Sequence, residues 1–430
     1  VLFLDVDRFK LVNDSLGNSS GDQLLSQIAQ RIKVCMRQGD VLGRVGGDEF
    51  AVLLGDVTGE EEACAVAARI QQALSISFNL LGQEVYSTMS IGIAMSSGYS
   101  EQVTDMLRDA ETAMHRAKSL GKARYEVFGR DMHGEMISRL KMETDLRHAQ
   151  ERGQLTVNYQ PIVSLENCRL IGFEALVRWL HPEFGLISPN DFIPVAEETG
   201  QILAIGQAVL EAACRQARLW QVNFPDSSLF VSVNLSAKQF NEPGLVQKIS
   251  RLLEESKLAP RCLKLEITET AFTDNIAAAV EVLKQLRSLG VQLSIDDFGT
   301  GYSSLSYLQR FPIDTLKIDR SFVMQMMENE ENLEIVRTIV SLAQNLGMDV
   351  VAEGVETKEQ LALLRRLDCE NGQGFYFAKP MEVSEIDQFI IGFDPKSEPS
   401  SNQQLKVVQK LESRADESTV NAECLISSLS

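Results

Sequence analysis

Hydrophobic periodicity divides the chain into two regions of different pattern. Over residues 1–128, short apolar runs that predict strands alternate with segments whose apolar residues recur at helical spacing, such as Leu24, Leu25, Ile28 and Ile32. This alternation predicts an α/β sandwich. From residue 141 to residue 393, strand-like runs alternate with amphipathic helices, which predicts a (β/α)8-type barrel. Residues 129–154 between them are charged, have an incomplete apolar stripe and predict a helical connector.

The strand-like runs of the second region carry polar residues near their ends. In a barrel of parallel strands the carboxyl ends meet at one rim, where barrel enzymes place their chemistry. A single buried Glu or Lys is usually a paired structural charge, but several at equivalent positions indicate a functional site. The eight runs cover residues 156–162, 170–177, 230–235, 263–268, 292–295, 315–318, 350–352 and 374–377.

Two adjacent carboxylates, Asp296 and Asp297, follow one of these runs directly, and Gly299 and Gly301 come next. Neighbouring side chains within a regular strand point to opposite faces. We therefore expect the strand to end here, so that both carboxylates can turn toward one site. Mg²⁺ and Mn²⁺ prefer such oxygen ligands. A polar turn that happens to contain two Asp residues is the alternative.

Composition limits the classes of ligand, metal site and cellular compartment that fit this chain. The chain has 430 residues and a formal net charge of −19, which argues against a nucleic-acid polymer as ligand. Seven cysteines without a CxxC pair fit a reducing compartment, and we expect the cytoplasm. Four scattered histidines argue against an imidazole metal cluster. No apolar run approaches the ~18–20 residues of a membrane span, so we expect no membrane contact within this sequence.

Two further expectations concern the ends of the chain. The sequence opens on Val1 inside a predicted strand and without Met, so we expect an upstream region that could carry a sensor or a membrane anchor. Residues 394–430 are rich in Ser, Glu, Gln and Asn, and we expect them to form a disordered tail of unknown role.

A Gly-Gly turn in the first region joins two predicted strands and places two carboxylates beside backbone that can approach a phosphate closely. With several further motifs in order, this region resembles the GGDEF diguanylate cyclase family, which joins two GTP molecules into cyclic di-GMP. The matching motifs are Gly46-Gly47-Asp48-Glu49-Phe50, Asp5-Val6-Asp7-Arg8-Phe9-Lys10, Asn13-Asp14, Gly21-Asp22, Ser90-Ile91-Gly92 and Ala117-Lys118-Ser119-Leu120-Gly121-Lys122.

The resemblance implies roles for individual residues. Asp5, the Val6 carbonyl and Asp48 would hold Mg²⁺, and Asp48 or Glu49 would serve the deprotonation of the ribose 3′-hydroxyl. A metal and a carboxylate suit this chemistry, because one neutralises triphosphate charge and the other helps to make the oxygen nucleophilic. The residues expected to contact GTP are Lys10, Asn13, Asp22 and Lys118, of which Asn13 and Asp22 would read guanine.

Four details of the first region affect its expected activity. Asn18 stands where the family usually has His near the nucleotide, and Lys122 replaces a common Arg near the phosphates. The family's opening helix would lie before Val1. Arg37 and Asp40 match the family's inhibitory site for cyclic di-GMP, one helical turn apart; an exposed ion pair is the alternative.

The second region resembles the EAL phosphodiesterase family over its whole length. This family hydrolyses one phosphodiester of cyclic di-GMP and gives linear pGpG. The matching motifs are Glu174-Ala175-Leu176-Val177-Arg178-Trp179, Asn234-Leu235-Ser236, Glu266-Ile267-Thr268-Glu269, Asp296-Asp297-Phe298-Gly299-Thr300-Gly301, Leu316-Lys317-Ile318-Asp319, Ala352-Glu353-Gly354-Val355-Glu356 and Gln373-Gly374-Phe375.

This second resemblance implies a site with two Mg²⁺ or Mn²⁺ ions. Asp296 would bridge them, and Asp297 would bind the second ion. Glu353 would be a ligand or a general base, and Lys317 would orient water and stabilise charge. The remaining implied roles are metal binding by Glu174, Asn234 and Glu266, phosphate contact by Arg178, support of the site by Gln373, and anchoring of the 299–304 loop by Glu269.

The sequence therefore predicts a cyclic di-GMP signalling enzyme with two catalytic domains, assembled as a homodimer. Two alternatives stay open. In one, supported by Asn18 and Lys122, the first domain only binds GTP and activates the second. In the other, both domains bind nucleotide and neither turns it over; the complete set of Asp296, Asp297, Lys317 and Glu353 argues against it.

Overall fold

The computed structural model describes residues 1–96, 103–129, 131–272, 276–300 and 308–393. The chain divides into two compact units, Val1–Met142 and Glu143–Ser430. The predicted tail at 394–430 and most of the 299–304 loop lie outside the described residues. No described helix combines the length and the apolar character needed to cross a bilayer.

The first unit has the predicted α/β character. Its helices are α1 (Phe9–Leu16), α2 (Asn18–Val34), α3 (Glu60–Leu74), α4 (Val103–Ser119) and the start of α5 (Asp131–Ala149), which continues into the second unit. Its strands are β1 (Leu2–Val6), β2 (Val41–Gly46), β3 (Glu49–Leu53), β4 (Phe78–Leu80), β5 (Gln83–Val85), β6 (Met89–Ile93) and β7 (Tyr125–Val127).

The main sheet of this unit has the order β2-β3-β1-β6-β7, with β1 at its centre. All five residues of β1 are buried because both faces of the sheet are covered. Leu2, Leu4 and Val6 pack in one core with α2 and α3. Phe3 points to the opposite face, against Met114 of α4. Alternate residues of β1 therefore pack into two different cores. Asp5 lies near the carboxyl end of this fully buried strand.

The strands of the second unit are β8 (Leu155–Ser164), β9 (Leu170–His181), β10 (Gly185–Ile187), β11 (Phe230–Leu235), β12 (Leu263–Thr268), β13 (Gln292–Phe298), β14 (Thr315–Ile318), β15 (Asp349–Ala352) and β16 (Asn371–Gln373). Its helices are α6 (Pro189–Thr199), α7 (Ile202–Asn223), α8 (Ala237–Phe240), α9 (Leu245–Ser256), α10 (Ile276–Ser288), α11 (Arg320–Gln325), α12 (Glu330–Leu346), α13 (Lys358–Arg366) and α14 (Val383–Gly392). Short 3₁₀ turns cover Pro260–Cys262 and Glu269–Phe272.

Eight of these strands close a barrel, which confirms the predicted fold class. Strand order runs from β9 through β11, β12, β13, β14, β15 and β16 to β8, and β8 pairs back to β9. The β9 strand pairs parallel with β11, as do the following neighbours up to β16. The carboxyl ends of seven strands therefore meet at one rim.

Two details differ from the sequence prediction. Strand β8 runs antiparallel to both neighbours, because only a short turn connects it to β9, and parallel strands need a longer crossover. The last strand is Asn371–Gln373, whereas the prediction placed it at 374–377. Gly374 leaves the strand because it lies against the backbone of Val355, where a Cβ would approach the Val355 oxygen to 2.1 Å.

Candidate active site

Lys317 lies at the centre of the predicted site. Its side chain is 1 % exposed and projects from β14 into a group of carboxylates. The Nζ atom is 2.7 Å from Glu266, 3.0 Å from Asp296, 3.6 Å from Glu174 and 2.5 Å from Glu353. These carboxylates come from four different strands or strand ends, so the barrel brings together residues that are far apart in sequence.

Glu174 on β9 is held by two amide side chains. Asn234 of β11 donates to its Oε1 at 2.6 Å, and Gln373 of β16 donates to its Oε2 at 2.6 Å. Gln373 Nε2 also lies 3.0 Å from the Oε1 of Gln160, whose own amide donates to the carbonyl of Ala378. Both glutamines are buried. The network fixes both oxygens of Glu174 without neutralising its charge.

Glu266 on β12 is the most enclosed carboxylate of the group, with 1 % exposure. Its Oε2 faces Lys317, and its Oε1 accepts a hydrogen bond from the hydroxyl of Ser232 on β11. Ser232 is itself fully buried. The two oxygens of this carboxylate are therefore held by different groups, a charge on one side and a neutral hydroxyl on the other.

Asp296 and Asp297 reach one site through a bulge within the strand. Strand β13 continues to Phe298, and its pairing with β14 shifts register between Ile295 and Phe298. Asp297 has a φ of 52°, an uncommon left-handed conformation for a residue with a side chain. The bulge turns its carboxylate toward that of Asp296. Oxygens of Asp296, Asp297 and Glu353 lie within 4.8 Å of one another. The expectation that the strand ends before this pair is wrong, although both side chains do converge.

Burial and like charges shift several pKa values. Burial raises the pKa of Glu353 to about 8, with Asp296 and Glu174 adding to the effect and Lys317 opposing it. Burial followed by the charge of Asp296 raises the pKa of Asp297 to about 6. Burial alone would lower the pKa of Lys317, but the surrounding carboxylates outweigh it and raise that pKa well above its usual value.

The two most enclosed glutamates respond in opposite directions. Burial would raise the pKa of Glu174, but Lys317 and the hydrogen bonds from Gln373 and Asn234 outweigh it and lower that pKa. Glu266 has no comparable amide network, and burial together with Glu174 and Asp296 raises its pKa well above the usual range despite Lys317.

This donor set fits divalent cations. Five acidic side chains share a mostly buried region with one ammonium group, an imbalance that a protein interior tolerates only with further positive charge or bound protons. The Oδ1 of Asp296 is buried and accepts no hydrogen bond from the described residues, although Lys317 Nζ lies 3.0 Å away. Hard cations such as Mg²⁺ and Mn²⁺ prefer carboxylate oxygens of this kind.

Two further predicted residues border the group. Arg178 lies four residues beyond Glu174 on β9, half-buried, and one of its guanidinium nitrogens donates to the carbonyl of Val177. Burial lowers the pKa of Arg178, and Glu174 opposes that shift. Glu269 accepts a hydrogen bond of 3.1 Å from the backbone N–H of Gly299. Tyr302, Ser303 and Ser304 of the same loop lie outside the described residues.

In the first unit, the end of β1 meets the Gly-Gly hairpin. The N–H of Val6 donates to the carbonyl of Asp48 at 3.2 Å, which places the hairpin tip beside Asp5. Lys118 Nζ forms an ion pair of 2.7 Å with Asp5. Burial raises the pKa of Asp5, and the charges of Asp48 and Asp7 add to the effect while Lys118 opposes it. Asp5 and Asp48 are therefore electrostatic neighbours, and Glu49 follows at the half-buried start of β3.

The predicted nucleotide contacts of the first unit differ in burial. Asn13 packs over Gly21, where a Cβ would come within 1.9 Å of its Oδ1. That oxygen is buried and has no hydrogen-bond partner among the described residues. The exposed members of the predicted set are Lys10, Asn18, Asp22 and Lys122.

Arg37 and Asp40 lie in the turn between α2 and β2. The expectation that they lie one turn apart in a helix is therefore wrong. The turn forms because Asp40 accepts hydrogen bonds from the N–H groups of Arg37 and Gly55. The Arg37 guanidinium is 3.7 Å from Asp40 and 2.7 Å from Glu62. Both predicted residues border a groove of about 640 Å³ that Lys33 also lines.

Sequence reasoning did not single out Ser232 or assign a role to Gln160, although both contact the site. A signal for Ser232 was available, because it precedes Asn234 by two residues and therefore shares its strand face. Gln160 belongs to the antiparallel strand β8, so an expectation based on parallel strand ends did not apply to it.

Comparison with known families agrees with both resemblances. The family model described as "EAL domain" matches residues 143–380. The model described as "Diguanylate cyclase, GGDEF domain" matches residues 1–124.

Similar proteins are known from Pseudomonas aeruginosa. The chain is 42 % identical over 390 residues to the cyclic di-GMP phosphodiesterase NbdA, and the match covers 91 % of this chain and 50 % of that protein. It is 42 % identical over 386 residues to the bifunctional diguanylate cyclase/cyclic di-GMP phosphodiesterase MucR, covering 90 % and 56 %. The chain thus spans about half the length of these curated relatives. The solved "PaMucR Phosphodiesterase, c-di-GMP complex" is 46 % identical with a TM-score of 0.56, and the match covers 57 % of this chain and 99 % of that one.

Proposed function

Because this chain belongs to the EAL domain family and carries a GGDEF domain before its EAL domain, we propose that its barrel hydrolyses one phosphodiester of cyclic di-GMP to linear pGpG. The observation that carries the proposal is the buried group of Glu174, Glu266, Asp296 and Glu353 around Lys317. Such a group is costly to bury and is explained by cation and phosphate chemistry. A similar solved phosphodiesterase is in complex with c-di-GMP.

We assign metal binding to five residues of the barrel. Glu174, Asn234, Glu266 and Asp296 would hold one cation, and Asp296 and Asp297 would hold the second. Mg²⁺ or Mn²⁺ bound there would neutralise charge on the phosphate and lower the pKa of the attacking water.

Other residues of the barrel serve the substrate and the water. Glu353 is a further ligand or accepts the water proton, and its carboxylate lies 2.5 Å from Lys317 at the same rim of the barrel. Lys317 orients the water and stabilises charge, and Arg178 contacts a substrate phosphate. Gln373 supports Glu174 through its hydrogen bond, and Glu269 anchors the loop after Asp297 through Gly299. Water adds to phosphorus, the bond to the ribose 3′-oxygen breaks, and that oxygen takes up a proton.

For the GGDEF domain we propose synthesis of cyclic di-GMP from two GTP molecules. Asp5, the Val6 carbonyl and Asp48 would hold Mg²⁺, with Asp48 or Glu49 serving the 3′-hydroxyl. Two domains would each hold one GTP, so the active form would be a homodimer. Arg37 and Asp40 would bind the product and inhibit. We place both reactions in the cytoplasm, where free thiols such as Cys35 stay reduced.

A second candidate function for this domain is GTP sensing without synthesis. The substitution of Asn18 for the usual His favours it, since that position lies near the nucleotide in the family. Synthesis and sensing differ in one outcome, because only synthesis converts GTP.

The test incubates the full chain with labelled cyclic di-GMP or labelled GTP, in Mg²⁺ or Mn²⁺. We expect pGpG from the first substrate. Cyclic di-GMP formed from GTP supports a bifunctional enzyme, whereas hydrolysis accelerated by unconsumed GTP supports sensing. Binding of cyclic di-GMP without turnover would overturn the proposed hydrolysis in favour of a receptor.

A further inference from the structure

We infer that Ser232 is a positioning residue for Glu266 and that its hydroxyl helps to determine how tightly the barrel binds divalent cations. The inference rests on the proposed function, because it takes Glu266 to be a metal ligand. Ser232 is assigned no direct contact with metal or substrate.

The contact itself is specific. The Ser232 hydroxyl donates to Oε1 of Glu266, while Oε2 of the same carboxylate faces the Lys317 ammonium at 2.7 Å. Both residues are almost completely buried, at 0 % and 1 % exposure. A glutamate side chain has three rotatable bonds, so a contact at each oxygen is what holds the plane of this carboxylate in place.

The position of Ser232 in the barrel explains why it acts through Glu266. It pairs in register with Glu174 on one side and with Lys264 on the other, one layer before Asn234 on the same strand face. Its hydroxyl therefore contacts the carboxylate of Glu266 from a position one layer before that of Asn234. Such second partners of metal-binding carboxylates orient them and adjust their affinity for the cation.

Loss of the hydroxyl would leave one oxygen of Glu266 buried and without a partner. A buried acceptor in that state is unfavourable, so the side chain would turn away from its present orientation. A displaced carboxylate makes Glu266 a poorer ligand.

The barrel offers a matched control in Ser294. It is also fully buried, and it pairs in register with Glu266 on the neighbouring strand. Its hydroxyl lies 3.4 Å from the carbonyl of Thr315 and donates to no carboxylate among the described residues. S232A and S294A therefore remove the same atom from two fully buried positions of the barrel, but only S232A removes a hydrogen bond to a predicted ligand.

The experiment titrates the full chain and both variants with Mn²⁺ by calorimetry, without nucleotide. We expect the Kd of S232A to rise about 10–100-fold and that of S294A to stay at the wild-type value. S232T retains the hydroxyl and should restore most of the affinity. S232C replaces the hydroxyl by a thiol, which donates weakly, so it should weaken binding in the same direction even if S232A does not fold.

A second measurement separates positioning from general damage. The Mn²⁺ concentration for half-maximal hydrolysis should rise in S232A, while kcat at saturating Mn²⁺ should approach the wild-type value. Equal Mn²⁺ affinity of the wild type, S232A and S232C would overturn the inference while leaving hydrolysis by the wild type intact. A wild type that neither binds Mn²⁺ nor hydrolyses cyclic di-GMP would overturn the proposed function itself.

Discussion

Lys317 balances the charge inside the barrel. An ammonium that is 1 % exposed is stable only beside opposite charges, and four carboxylates supply them. The carboxylates also depend on Lys317, because without it no cationic side chain among the described residues would contact them. The charge balance of the site therefore depends on this side chain whenever cations are absent.

Replacing Lys317 by Met should destabilise the metal-free protein. Removing one partner of a buried ion pair costs about 3–5 kcal/mol, and we expect a loss in this range at pH 7. The loss should shrink near pH 5, where the carboxylates can take up protons. Urea unfolding in EDTA measures it. The control is Lys248→Met, which breaks an exposed pair with Glu242 and should cost less than about 1 kcal/mol.

Glu174→Ala should abolish hydrolysis and leave the fold intact. The change removes a predicted metal ligand, and a barrier increase of only ~3 kcal/mol already lowers the rate about a hundredfold. Product formation from cyclic di-GMP in Mn²⁺ and circular dichroism check the two parts. Glu334→Ala is the control, since Glu334 is exposed and contacts Arg337. Activity of the Glu174 variant equal to this control would contradict the metal assignment.

The metal-free protein should lose stability as pH rises from about 5 to 8. The pKa of Glu353 is raised from 4.5 to about 8 and that of Asp297 from 3.8 to about 6, both mainly by burial. The folded state therefore binds these protons more tightly than the unfolded state, and that contribution disappears as pH rises through the folded pKa values. Glu174 has a lowered pKa, so its stabilising contribution is already complete above 4.5 and constant in this window.

Thermal unfolding in EDTA across this pH range is the measurement. Glu353→Gln should flatten the dependence, because it removes the group that titrates at the upper end. A melting temperature that rises from pH 6 to pH 8 in the wild type would show that other groups dominate. Added Mn²⁺ should stabilise more at pH 8 than at pH 6, since binding requires deprotonated carboxylates.

At the scale of single elements, one bulge and one glycine matter. The bulge in β13 places Asp297 next to Asp296, which a regular strand would not do. Gly92 in β6 has no side chain to separate the sheet from α4, and an added Cβ would lie 1.9 Å from the carbonyl of Ala110 and 2.2 Å from the N–H of Met114. The bulge places two carboxylates together, and the glycine allows a helix to pack directly on a strand.

Gly92→Ala should therefore destabilise the first unit. The backbones of β6 and α4 would have to separate, and overpacking of this kind costs about 1–3 kcal/mol or more. Gly43→Ala in β2 of the same sheet is the control, because nothing lies within 4 Å of its added Cβ. Denaturant unfolding of both variants gives the comparison, and equal stability would mean that the helix shifts without cost.

At the scale of the whole molecule, the chain has two units with separate sets of acidic residues. We expect Asp48→Ala to abolish conversion of GTP while hydrolysis of added cyclic di-GMP continues. Glu174→Ala should do the reverse, so that GTP is converted and cyclic di-GMP accumulates. Chromatography of both products from both variants measures this, and loss of both activities in either variant would contradict independent sites.

The sequence by itself determined the α/β class of both units and the alternation of strands and helices along each, and it proposed the site residues. These follow from local information: hydrophobic period, turn residues and polar side chains at strand ends. The motifs at Asp48 and Glu174 also identified both families, as the family comparisons agree.

Only the tertiary structure decided how these residues meet. Contacts such as Lys317 with Glu174, or Ser232 with Glu266, depend on barrel closure and strand register. A register shift of one residue would turn every side chain of a strand to the other face, and no local pattern specifies a bulge at Asp297. Distances, burial and the resulting pKa shifts are properties of the assembled barrel, because they arise between strands rather than within them.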